Sequence, residues 1–188
     1  MTQQGKNAID LVLAESLIEL SAKKPIDKIT IKEITDKAGV IRPTFYNHFQ
    51  DKYELIEWII KTELLEPIKP LLNAGMIFEA IVLMLNNISA NSVFYKKALK
   101  LEGAVTFNQI AMKCVCEMFM NIISEKSTGK KSKYRWLTPE VISTYYAQSL
   151  CFITEGWIAQ GMDDIEPKEM AEAYMYLITR SMDDILSE

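Results

Sequence analysis

TIKEITDKAGVIRPTFYNHFQDK, residues 30–52, decides how this chain folds. Thr30-Ile31-Lys32-Glu33 has the form of a capping box, with a hydroxyl at the N-cap and a carboxylate three residues on. It predicts a helix that buries Ile31, Ile34 and Ala38 and stops at Gly39, a residue free to take the left-handed C-cap conformation. Pro43 suits the first turn of the next helix, where its missing N–H costs nothing; that helix is expected from Arg42 to His48. Asp51-Lys52-Tyr53-Glu54 forms a second capping signal and opens a longer fourth helix, to about Glu66. Two short helices joined by a Gly-containing turn are the pattern of a helix-turn-helix.

The second helix of the pair carries side chains suited to DNA. A recognition helix reads bases from near its N-terminus, while phosphate contacts fix its position. Arg42 can chelate a guanine or bond a phosphate. Pro43 and Thr44 offer apolar contact to a thymine methyl, and Thr44 and Tyr46 can bond phosphates through their hydroxyls. Asn47 can read adenine. His48 and Lys52 are expected to donate to phosphates, as is Lys32 in the first turn of the preceding helix. Thr30 completes the candidate DNA-binding set. Phe45 and Phe49 fall on the opposite face and should anchor the helix in the core with Ile34 and Leu55.

Outside this segment the pattern is helical. Ile9, Val12, Leu13, Ser16, Leu17 and Leu20 recur at helical spacing and predict a first helix over residues 5–23. Pro67 and Pro70 should break the fourth helix. Further helices are expected over residues 76–89, 91–101, 105–125, 139–161 and 167–186. The polar, basic STGKKSKY, residues 127–134, reads as a loop. No strand run and no internal repeat occur. The fold class is therefore all-α: a DNA-binding domain of three helices at residues 1–52 and a helical regulatory and dimerisation domain at 53–188.

The net charge of −4 alone speaks against a nucleic-acid binder. Its distribution does not. Residues 21–52 hold 7 Lys+Arg against 4 Asp+Glu, whereas residues 53–188 hold 13 against 18, so the basic excess coincides with the motif. No apolar run is long enough to span a membrane. The N-terminus lacks a signal-peptide pattern, and the three cysteines have no framework spacing. A cytoplasmic protein with reduced thiols is expected. Cys114 and Cys116 are two apart, on different faces of a helix, so neither a metal site nor a cofactor site is expected. His48 is the only histidine. No nucleophile–base pair or phosphate loop is present, so no enzyme is expected.

The segment around the motif resembles the DNA-binding domain of the TetR family of bacterial transcription regulators. The resemblance rests on Thr30, Ile34, Ala38-Gly39-Val40, Thr44, Phe45-Tyr46, His48-Phe49, Lys52 and Leu55. The family usually has a small residue, often a phosphate-touching serine, where Ile41 stands. The remainder is similar to regulators of the dihydroxyacetone-kinase operon type, through Glu155-Gly156-Trp157-Ile158, Gly161-Met162, Pro167, Met170 and the run from Phe94 to Lys97. The resemblance implies a transcription regulator that binds operator DNA as a homodimer, its last two long helices forming a four-helix interface. Control would come from a small, apolar effector or a protein co-regulator.

Aromatic and sulfur-rich positions of the C-terminal part are candidates for an effector pocket: Trp58, Phe78, Met84, Phe94, Phe107, Met112, Phe119, Tyr145 and Phe152. The dimer stripes read as Ile142, Tyr146, Ser149, Ile153 and Trp157 on one helix, with Met170, Tyr174, Leu177 and Ser181 on the next. The alternative reading is a helical protein-interaction module whose N-terminal domain does not bind DNA.

Overall fold

The computed structural model describes residues 3–103, 105–126 and 133–187, so most of the expected 127–134 loop lies outside the described residues. Among them there is helix and no strand. Helix α1 spans Gln3–Lys23 and leads through a 3-10 turn, Ile26–Lys28, to α2, Ile31–Ala38. The Thr30 capping box forms in full, with Thr30 Oγ1 accepting from Glu33 N and the Glu33 carboxylate accepting from Thr30 N. Gly39 closes α2 at φ 68°, where a side chain would be strained. Helix α3, Arg42–Tyr46, ends two residues before the expected His48.

At the second capping signal, Asp51 accepts from Tyr53 N and Glu54 N as an N-cap should. Glu54 does not return the bond to Asp51; its Oε2 accepts from Gln50 N instead. Helix α4, Lys52–Ile59, follows. It does not stop at the prolines. The chain widens into a π-helical segment, Ile60–Leu65, and continues as α5, Glu66–Asn73, with Pro67 in the first turn and Pro70 inside. Pro67 cannot donate to the carbonyl of Glu63, four residues back. Asn87 Nδ2 takes that role, donating to Glu63 O at 2.9 Å. The expected break is thus corrected: a wide turn and a side-chain donor from another helix accommodate the prolines.

Helices α6, Ile77–Ala90, α7, Ser92–Ala98, α8, Phe107–Lys126, and α9, Pro139–Ala159, follow the expected order. The last expected helix divides in two. Helix α10, Pro167–Thr179, ends at Arg180, whose backbone is extended, and α11 spans Met182–Leu186. Ser181 and Asp184 form a capping box of their own, and this local start signal overrides the apolar periodicity that runs across it.

The core is continuous through the molecule. Leu13, Leu17, Ile26, Ile29, Ile34, Phe45, Phe49 and Leu55 fill the N-terminal part. α1 packs on α2, α4 and α7, while α8 lies along α9, and α6 lies against α5 and α10. Helix α4 meets both α1 and α8. An ion-pair network ties it to α8: Glu57 pairs with Lys61 at 2.7 Å and Lys113 at 2.8 Å, and Lys61 reaches Glu117 at 2.9 Å. Burial works against the Glu57 charge, but the bonds from Lys113 and Lys61 hold its carboxyl below the usual range. The helix that leaves the helix-turn-helix is therefore fastened to the C-terminal domain.

Candidate nucleic-acid interface and regulatory cavity

Phe45 and Phe49, on one face at the α3 end, are buried with Ile34 and Leu55 as expected. Burial of those rings turns Arg42, Pro43, Tyr46 and Asn47 outward, and all four are exposed; Tyr46 stands 55 % exposed and Thr44 is half-buried. Thr30 and Lys32 are exposed at the start of α2. Among the described residues, neither Lys32 nor Arg42 forms an ion pair, whereas Lys24 pairs with Glu33 and Lys37 with Glu19. Two uncommitted cations and two hydrogen-bonding side chains thus stand near one short helix, as groove and phosphate recognition requires.

Two expected phosphate donors are placed otherwise. The His48 side chain is only 3 % exposed, and its Nδ1 lies 2.6 Å from Asp10 Oδ1. It fastens the end of the recognition segment to α1. The Lys52 ammonium donates to the carbonyls of Ile26, Asp27 and Ile29 at 3.0, 2.7 and 3.2 Å. These oxygens converge around the 3-10 turn, and the ammonium gathers them; burial in turn pulls its pKa down. Both residues support the domain from inside rather than offering a free donor. Asp10 escapes sequence reading because it lies 38 residues from His48, with no local signal. Ile41 caps α3 without a side-chain bond and stands 69 % exposed.

The C-terminal domain holds two neighbouring apolar spaces. The larger, about 410 Å³, lies between α5, α6, α8, α9 and α10; the smaller, about 50 Å³, is walled by the π-segment, α6, α7, α8 and α9. Met84 and Leu150 line both. Of the expected pocket residues, Met84 and Phe107 line the small space, and Met84 and Phe119 the large one. Trp58, Phe78 and Met112 pack against the core and line neither, and Phe94 is buried edge-on against Tyr95. Phe152 is corrected outright, standing 75 % exposed; Tyr145, 64 % exposed, lines neither of these spaces but a separate open hollow of about 780 Å³ with Trp136, Leu137 and Ile142. Tyr95 and Thr154 also line the small space, and a hydroxyl on an apolar helix gives no signal in the sequence until its surroundings are known.

Most residues of the expected dimer stripe are engaged within the protomer. Trp157 is buried, and its indole donates to Ile165 O at 2.9 Å. Tyr174 is buried, with its hydroxyl on Ser149 Oγ at 3.0 Å. Ile142 and Tyr146 line the larger space, and Ile153 and Met170 pack against the core, half-buried. Ser181 caps α11. Tyr145, Tyr146 and Phe152 of α9 and Leu177 of α10 are the large apolar side chains left in solvent on these two helices. Cys114 and Cys151 are buried thiols pushed up to about 12, chiefly by burial. No cluster of metal-ligating side chains occurs among the described residues, nor a single helix long and apolar enough to cross a membrane.

A helix-turn-helix whose second helix turns basic and polar side chains outward, set on a larger helical domain, defines a DNA-binding transcription regulator. Residues 15–59 match the family described as bacterial regulatory proteins, tetR family, and residues 76–180 match the transcriptional regulator C-terminal region. The chain belongs to the TetR family of bacterial transcriptional regulators. It is 26 % identical over 152 residues to the HTH-type dhaKLM operon transcriptional activator DhaS of Lactococcus lactis subsp. lactis (strain IL1403), covering 80 % of this chain and 79 % of that protein. The solved structure of a dihydroxyacetone kinase operon activator DhaS superposes with a TM-score of 0.64 over 91 % of this chain and 94 % of the other, at 21 % identity. NalD, the secondary repressor of the MexAB-OprM multidrug efflux pump in Pseudomonas aeruginosa, superposes with a TM-score of 0.61 over 93 % and 96 %, at 13 % identity.

Proposed function

We propose that the protein is a cytoplasmic regulator, without enzymatic activity, that binds a palindromic operator as a homodimer and is controlled through its C-terminal domain. The uncommitted, exposed Lys32 and Arg42 beside Tyr46 and Asn47 carry the DNA-binding part of this reading. Two copies would set two α3 helices in successive major grooves, about one helical turn apart. Pairing uses the outward face of α9 and α10, with Tyr145, Phe152 and Leu177 at its centre. An effector or partner at the C-terminal domain acts on α4 through its ion pairs with α8 and the π-segment beyond it. Such a change alters the spacing of the two α3 helices, so both half-sites are no longer engaged together.

Fluorescence anisotropy with duplex DNA from upstream of the gene tests the reading. Saturable binding that weakens steeply with salt is expected, with Arg42→Ala and Tyr46→Phe each weakening it. No binding at 50 mM salt would instead favour a helical protein-interaction module.

A further inference from the structure

Two side-chain oxygens among the described residues are buried without a hydrogen-bond partner: the Tyr95 hydroxyl and Thr154 Oγ1. Buried polar groups are almost always bonded, so each such exception asks for an explanation. These two come from different helices, α7 and α9, yet both residues line the same small cavity. Its volume of about 50 Å³ has room for roughly four water-sized groups. Ile60, Leu64, Phe107 and Val115 supply apolar walls. Among the described residues, Glu155 is the only charged one in the lining, and its carboxylate already accepts from Asn108 Nδ2.

We propose that this cavity is a site for a small uncharged effector of about four or five heavy atoms, its carbonyl or hydroxyl oxygen held between Tyr95 and Thr154 and its short alkyl part against Leu64, Phe107 and Val115. The proposal rests on reading the C-terminal domain as the regulatory one. An anion would enter an apolar space beside Glu155, and an ammonium would lose its hydration to a carboxylate already engaged. A neutral oxygen satisfies both orphan hydroxyls without that cost. Burial, and then the nearby charge of Glu63, pushes the Tyr95 phenol up, so it stays a neutral donor at any working pH. Ile60, Leu64 and Leu65 of the π-segment also line the cavity. A ligand there touches the stretch through which α4, and with it the DNA-binding unit, joins the rest of the molecule. Occupancy then biases that stretch and changes operator affinity.

The test uses the full chain and two measurements. Calorimetry and ligand-observed NMR without DNA compare 2-butanone and 1,2-propanediol with propionate, propylammonium and xenon. Both neutral probes are expected to bind at millimolar or lower concentration and the two ions to show no binding. Tyr95→Phe and Thr154→Val should each weaken the neutral probes at least tenfold. Neither variant should melt below the parent, since each deletes an unpartnered hydroxyl, so weaker binding cannot be laid to misfolding. Binding of xenon alone would reduce the cavity to a dry void. Equal binding of the ions, indifference to both substitutions, or no binding by any probe would equally overturn the assignment. Separately, saturating 2-butanone should change the operator Kd at least threefold; no change would overturn its role as an effector site. Failure to bind operator with probe binding intact would count against the DNA-binding reading alone.

Discussion

At Ile41 the N-cap of α3 carries a branched alkyl group where a hydroxyl would bond the first exposed backbone N–H groups. Ile41→Ser supplies that bond, so thermal unfolding should show about 1 kcal/mol of added stability. A change of similar size downward would mean that the isoleucine makes a contact worth more than the cap. Lys32 and Lys52 separate two roles that one residue type can fill. Lys52→Met removes three bonds to backbone carbonyls and should destabilise by about 2 kcal/mol in denaturant unfolding. It should leave the salt slope of operator binding unchanged. Lys32→Ala should do the reverse, with stability kept and the slope reduced by about one. A reduced slope for Lys52→Met would show that its ammonium leaves the turn to meet a phosphate. Thr30, Glu33, Gly39 and Pro43 were legible from sequence because caps act within four residues. His48 and Lys52 were not, because their partners, Asp10 and the 26–29 turn, lie 38 and about 25 residues away.

At the scale of elements, the stretch from α4 to α5 is the most unusual part. Its π-turn carries Glu63, whose backbone oxygen is bonded by Asn87 and whose carboxylate accepts from Asn91 Nδ2 at 3.3 Å. Burial, and then the neighbouring Glu15, raises the pKa of that carboxyl above its ordinary value. A carboxyl raised in the folded state favours folding fully only below its unfolded pKa. That contribution is lost as pH rises through the folded value. Glu63→Gln keeps an oxygen for Asn91 and removes the charge, so its melting temperature should exceed the parent's at pH 7 and approach it at pH 4. An equal difference at both values would remove Glu63 ionisation as the cause. The prolines marked this stretch in the sequence but pointed to the wrong outcome. Pro67 signals a missing donor; only the approach of α6 shows that Asn87 replaces it. The end of α10 is the opposite case: Ser181 and Asp184 stood in the sequence as a start signal, and the apolar periodicity across them concealed it.

For the whole molecule, the exposed large apolar side chains of α9 and α10 set the expected assembly. Phe152→Glu places a charge on a 75 % exposed position of that face. Sedimentation at micromolar concentration should show the parent as a dimer and this variant as a monomer that melts within a few degrees of it in dilute solution. A variant that remains dimeric would move the interface elsewhere. By itself the sequence determined the all-α class, the position of the helix-turn-helix and the residues around α3 that meet solvent. Capping, glycine conformation and helical periodicity are local effects, and local effects are written in neighbouring residues. The tertiary structure alone decided which expected DNA contacts are tied up inside the domain, which face of α9 is outward, and that two residues with orphan hydroxyls line one cavity. Each of those depends on how helices distant in sequence turn toward one another, and a turn of about 100° per residue moves a side chain from core to solvent.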